Sequence, residues 1–127
     1  MTTRAFRRAA LLVACAAASA IACGPFRANA GDNPAYVIFH NNGMDQAAVY
    51  VVDQASDFRR IGTVSAGRTE TLKVSSDLIR GPVAIVARML AHYDLPSTGQ
   101  VTLYAGEYYD VTLPMDAKML TFLPARQ

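Results

Sequence analysis

Residues 60–74 read Arg-Ile-Gly-Thr-Val-Ser-Ala-Gly-Arg-Thr-Glu-Thr-Leu-Lys-Val. The first five residues form a short β-branched run interrupted by Gly62. Ser65-Ala66-Gly67-Arg68 suits a hairpin turn, because Gly accepts the positive φ that tight turns demand. From Thr69 to Ser75, Thr69, Thr71 and Lys73 alternate with Leu72 and Val74. A period of two with β-branched side chains is the mark of a strand with one face buried.

The same grammar continues in both directions. Upstream, Ala35 to His40 predicts a strand stopped by Asn41-Asn42-Gly43, and Ala47 to Val52 predicts a second, followed by a polar break over Gln54 to Asp57. Downstream, Asp77 to Arg80 reads as one helical turn closed by Gly81-Pro82. Val83 to Leu90, the longest apolar run of the body, predicts a central strand covered on both faces. His92 to Gly99 reads as a loop. Gln100 to Tyr104, Tyr108 to Leu113 and Met119 to Leu123 then complete the set. Seven or eight short strands with turn signals every 8–12 residues or so, and no sustained 3.6 period after residue 30, point to an all-β fold, a single antiparallel β-sandwich.

The N-terminus reads differently. Arg4, Arg7 and Arg8 precede an apolar stretch from Ala9 to Ala22, about the length of a secretory h-region and short of the ~20 residues that span a bilayer. The expected organisation is a signal peptide over 1–22, lipid attachment and a tether over 23–34, and the β-sandwich domain over 35–127. Removing the three arginines of the export segment from the 12 basic residues leaves 9 against 10 acidic ones, a formal balance of −1. Such a body carries no electrostatic footprint for nucleic acid. Both cysteines lie in the export segment, so a disulfide framework, a cysteine nucleophile and a thiolate metal site are all excluded from the body.

Ala20-Ile21-Ala22-Cys23 is similar to the lipobox of bacterial lipoproteins. The resemblance implies cleavage before Cys23, diacylglycerol on its sulfur and acylation of the new amine, palmitate being the usual chain. It also implies an outer-membrane address, since Gly24 is not the aspartate that retains many lipoproteins in the inner membrane. One acyl chain holds a protein only marginally, whereas two or more hold it stably at ~0.8 kcal/mol per buried methylene. Gly24 to Pro34 would reach at most roughly 35 Å. The competing cut follows Ala28-Asn29-Ala30 and would release a soluble periplasmic binding or inhibitor domain starting at Gly31. The 60–74 stretch and the Tyr104-Ala105-Gly106-Glu107-Tyr108 turn resemble the recurrent and closing hairpins of small uncharacterised bacterial lipoproteins. That resemblance implies an immunoglobulin-like or transthyretin-like sandwich and transfers no functional residue. The transthyretin-like lipoprotein of type VI secretion systems is a more distant resemblance.

Candidate chemistry is sparse. His40 and His92 are the two histidines, and a His92–Asp94 pair falls short of the convergent ligands a metal needs. Ser65, Ser75, Ser76 and Ser97 have no Gly-x-Ser-x-Gly elbow around them. Asp110 reads as a solvent-facing strand residue, and Arg59 and Arg60 as a solvated strand end. No metal, no cofactor and no catalytic residue is expected, so the chain reads as a non-enzymatic envelope module. Tyr104 and Tyr108, flanking one turn, are expected on one face with Tyr93 near them. Tyrosine gives large contact area with a polar tip, making these three the candidate interaction surface for a protein, peptide or glycan. The simpler reading is that they cover a sheet face.

Overall fold

Between Ala35 and Asn41 every second residue is buried, and the pattern recurs from Ala47 to Val52. Alternate side chains point to opposite faces of a strand, so each run offers one apolar face that must find another sheet. In the computed structural model, which describes residues 32–126, eight strands solve this problem as two four-stranded sheets. The strands are β1 (Ala35–Asn41), β2 (Ala47–Val52), β3 (Phe58–Val64), β4 (Thr69–Val74), β5 (Val83–Met89), β6 (Ser97–Val101), β7 (Tyr108–Leu113) and β8 (Thr121–Pro124). One sheet has the order β4-β1-β7-β8 and the other β3-β2-β5-β6. The expected signal peptide, the expected attachment at Cys23 and the alternative cut after Ala30 lie outside the described residues.

The β-sandwich expectation holds, and its apolar faces meet as expected. Val37, Phe39, Val74 and Val111 from the first sheet and Val49, Val51 and Ile85 from the second are fully buried. Each such side chain contributes roughly 1.5–3 kcal/mol of transfer free energy. All neighbouring strands are antiparallel except β1 and β7, which run parallel with Val37 opposite Tyr109. Among the described residues no helix is long and apolar enough to cross a membrane.

The connections correct the reading of the turns. Ser65–Arg68 does turn, with the Arg68 N–H donating to the Ser65 carbonyl at 3.1 Å and Gly67 at φ 71. It is not a hairpin, however, because β3 pairs with β2 while β4 pairs with β1 in the other sheet. Asn41-Asn42-Gly43 and Tyr104–Tyr108 likewise carry the chain between sheets. The real hairpins lie elsewhere, and one of them spans the polar break before β3. There the Asp53 carboxylate accepts from the N–H groups of Ala55 and Asp57.

Asn41 explains why the first two crossovers hold. It is a fully buried polar residue. Its side-chain amide donates to the carbonyls of Asp45 at 2.8 Å and Val64 at 3.0 Å, and its side-chain oxygen accepts from the Gly43 N–H at 2.9 Å. Its backbone accepts from Gly67 and donates to Arg68. One residue of β1 thus ties the β1–β2 loop and the β3–β4 turn together across the sheets. Gly62 is the second device. A Cβ built there would lie 2.5 Å from Cδ2 of Leu72, so only glycine lets β3 approach β4 so closely.

The bounds of β6 also move, and the cover of β5 is incomplete. β6 begins at Ser97, inside the expected loop, because hydroxyls stand in for ladder groups at an irregular register. The Ile85 N–H donates to Oγ1 of Thr98 and the Gly99 N–H to Oγ of Ser97. β5 is central, although Arg88 breaks the expected double cover by projecting from the exposed face.

The residues just before β1 are held to the body. The Asp32 carboxylate lies 3.2 Å from the Lys73 ammonium and accepts from the Ser76 hydroxyl at 3.1 Å, while the Pro34 carbonyl accepts from the Gly106 N–H at 2.7 Å. The last residues of the expected tether are therefore docked to the body. The Lys73 hydrogen bond and then that of Ser76 hold the Asp32 carboxyl below the usual carboxylate range.

Candidate functional site

The outer face of the β3-β2-β5 sheet carries a concavity of about 900 Å³. Its floor follows from register. Ala48 sits between Thr63 on one side and Arg88 on the other, and the next outward row runs Arg60, Tyr50, Val86. A bulge between Val49 and Tyr50 on the β2–β3 pairing puts Arg60, rather than Ile61, opposite Tyr50. The Arg60 guanidinium donates to the Thr63 hydroxyl, which turns it toward the row that holds Arg88. Ala48, with the smallest side chain of the floor, leaves the space between the two arginines open.

Aromatic rings frame this space. Tyr50 and Phe58 meet edge to face with centroids 6.0 Å apart, a favoured aromatic geometry. The β5–β6 loop supplies the opposite wall through His92 and the fully exposed Tyr93. No carboxylate lines the groove. Asp45 stands at its rim, 3.8 Å from Nε2 of His92. Among the described residues neither Arg60 nor Arg88 is in an ion pair.

The tyrosines expected to share a surface are distributed. Tyr93 belongs to this groove. Tyr108 lies on the other sheet and stacks on Tyr36 at 4.7 Å and 15°. Tyr104 is exposed in the turn before β7, and its backbone N–H donates to the hydroxyl of Tyr109 at 2.9 Å. The geometry assigns Tyr93 to a different sheet face from Tyr108.

The outer face of the first sheet holds a polar chain that no sequence motif announced. Nδ1 of His40 lies 3.0 Å from Oγ1 of Thr69, and Nε2 of His40 lies 3.0 Å from Oδ1 of Asp110. His40 and Thr69 are direct cross-strand partners, and Asp110 is a diagonal neighbour on β7. Asp110, read as solvent-facing, does lie on the outer face, partly exposed and paired with His40. The order hydroxyl, imidazole, carboxylate matches a nucleophilic triad, but acyl transfer also needs donors aimed at an oxyanion over the hydroxyl. The chain reads as a cross-strand tie of β4, β1 and β7. Ser76 is engaged by Asp32 and Ser97 by Gly99. Among the described residues no three His, Cys, Asp or Glu converge on a metal position.

The end of the sandwich away from Asp32 is apolar. The β1–β2, β5–β6 and β7–β8 loops gather there, as shown by the His92–Asp45 approach, the Asn42 N–H bond to the Leu113 carbonyl and the Leu120 N–H bond to the Ser97 carbonyl. They expose Met44, Leu90, Tyr93, Leu95, Met115 and Met119, six of the ten exposed large apolar residues among those described.

No family model and no curated protein matches this chain. Among solved structures, the chain is similar to an NMR structure of a protein from Eubacterium rectale. Identity is 9% and the TM-score 0.47, over 78% of this chain and 93% of that one.

Proposed function

We propose that this chain is a lipid-anchored, non-enzymatic lipoprotein of the bacterial cell envelope whose sandwich, of immunoglobulin-like or transthyretin-like class, presents its apolar end to a partner protein. The reading assigns Cys23 as the attachment point and the outer membrane as the address, with the domain facing the periplasm or the cell exterior.

One observation carries it. Asp32 is held by Lys73 and Ser76, and Pro34 by the Gly106 turn, at one end of the sandwich, whereas the exposed apolar loops crowd the opposite end. A domain held by its N-terminal end would offer that crown to whatever stands away from its own bilayer. Exposed apolar side chains gathered in one patch mark interaction surfaces, in contrast to the scattered ones every protein carries. Asp45, Asp94 and Asp116 against Arg68 and Lys118 leave the crown slightly acidic, which favours a protein partner over an anionic bilayer.

The anchor is tested by labelling with palmitate. The native chain should take label and partition into the detergent phase, and Cys23→Ala should do neither. An unmodified mature N-terminus at Gly31 would instead establish the free periplasmic domain. The crown is tested by photo-crosslinkers introduced at Met44 and Met115 in living cells. Both positions should capture one common envelope protein, and a crosslinker at Leu123 should not. Capture from neither crown position would refute the assignment.

A further inference from the structure

We propose that the groove over Ala48 is a binding site for a carboxylate-bearing sugar chain, an acidic glycan. This inference rests on the sheet face that carries Ala48, Arg60 and Arg88; the groove shares Tyr93 and its loop neighbours with the crown, and the inference holds whether or not the chain is lipidated.

Beneath Ala48 the floor offers no free strand edge. β2 is paired on both sides, to β3 and to β5, so its backbone N–H and C=O groups are consumed by the ladders. A peptide docking as an added strand needs a free edge. A ligand lying over Ala48 meets side chains alone.

Those side chains describe the ligand. Arg60 and Arg88 bring two guanidinium groups to the groove with no carboxylate among the lining residues to neutralise them. The planar fork of arginine matches a carboxylate bidentately, which makes the pair specific as well as attractive. Thr63, Gln46 and the hydroxyls of Tyr50 and Tyr93 add polar groups that both donate and accept, the inventory a hydroxyl-rich ligand needs. The rings of Tyr50, Phe58 and Tyr93 supply flat apolar platforms of the size of a pyranose face. A volume of about 900 Å³ lies near the upper limit for ligand pockets and suits several sugar units. A nucleic acid would call for a basic stripe tracking successive phosphates. Arg60 and Arg88 alone do not make such a stripe.

The test uses the protein purified after export and a galacturonate oligomer as probe, with its fully methyl-esterified form, poly-glutamate and inorganic phosphate as comparisons. Titration calorimetry gives affinity. Tyrosine fluorescence reports the site, because the chain has no tryptophan and Tyr50 and Tyr93 frame the groove. The oligomer should bind, and added salt should weaken it. The methyl ester, poly-glutamate and phosphate should each bind at least about tenfold more weakly. Arg88→Gln, on an exposed strand position, should cost about tenfold or more, and Arg88→Lys should restore only part of it because the fork is lost. The proposal is overturned by absence of binding at millimolar oligomer, by equal binding of the ester or of poly-glutamate, or by an Arg88→Gln protein that binds like the native one.

Discussion

Replacing Asn41 by alanine should be among the most damaging single changes available in this domain. The substitution deletes an amide that donates twice and accepts once inside the sandwich. Each net hydrogen bond is worth about 0.5–1.5 kcal/mol, and a buried partner left unsatisfied costs about 1–3 kcal/mol. The Val64 carbonyl bond is buried, while those involving Asp45 and Gly43 are half-buried and regain some water. The sum is about 3–4 kcal/mol, to which the vacated volume adds a little. For a domain of this size 1 kcal/mol at the midpoint moves Tm by roughly 4–8 °C, so the variant should melt roughly 12–30 °C lower. Asn41→Asp refines the test. It keeps the acceptor for Gly43 but aims a carboxylate at two carbonyls. Asn41→Asp should therefore be at least as unstable near neutral pH and recover in acid, when protonation restores one donor. Urea unfolding at several pH values measures both. If Asn41→Ala costs less than about 1 kcal/mol, or if Asn41→Asp is insensitive to pH, the amide does not hold the crossovers.

Three further outcomes follow from the same geometry. Gly62→Ala should cost about 1–3 kcal/mol, because the new methyl meets Leu72 at overpacking distance. Most of that penalty should vanish in a Leu72→Ala background, and simple additivity would contradict the assigned contact. Asp32 carries the pH dependence at the domain's beginning. Its folded pKa lies below its unfolded one, so its contribution is complete above the ordinary carboxylate range and fades as pH falls through the lowered value. Asp32→Asn should accordingly reduce stability above the ordinary carboxylate range and lose that deficit as pH falls through the lowered value, read as urea midpoints. His40→Gln should weaken the tie to Thr69 and Asp110, lowering stability by about 1 kcal/mol without affecting groove binding, which calorimetry with the galacturonate oligomer would check.

Strand positions were largely legible because period two is a local property. Ala47 to Val52 and Tyr108 to Leu113 coincide with β2 and β7 to the residue. The functional surfaces were much less so. Arg60 looked like a solvated end because its partner row depends on a bulge. Arg88 sat inside what looked like a doubly covered strand. His40 and Asp110 are 70 residues apart and meet only because β1 and β7 pair in parallel. The tyrosines were visible as residues, but their grouping depended on taking the Tyr104–Tyr108 turn as a hairpin.

From the amino-acid order alone came the all-β class, the inward and outward faces of most strands and the places where the chain reverses. All of these depend on alternation and turn chemistry within a few residues. Tertiary structure decided which turns are hairpins and which are crossovers, and through them which side chains share a surface. A turn residue specifies that the chain bends. Only the burial of two apolar sheet faces against each other, pinned by Asn41 and permitted by Gly62, specifies the sheet to which the next strand belongs.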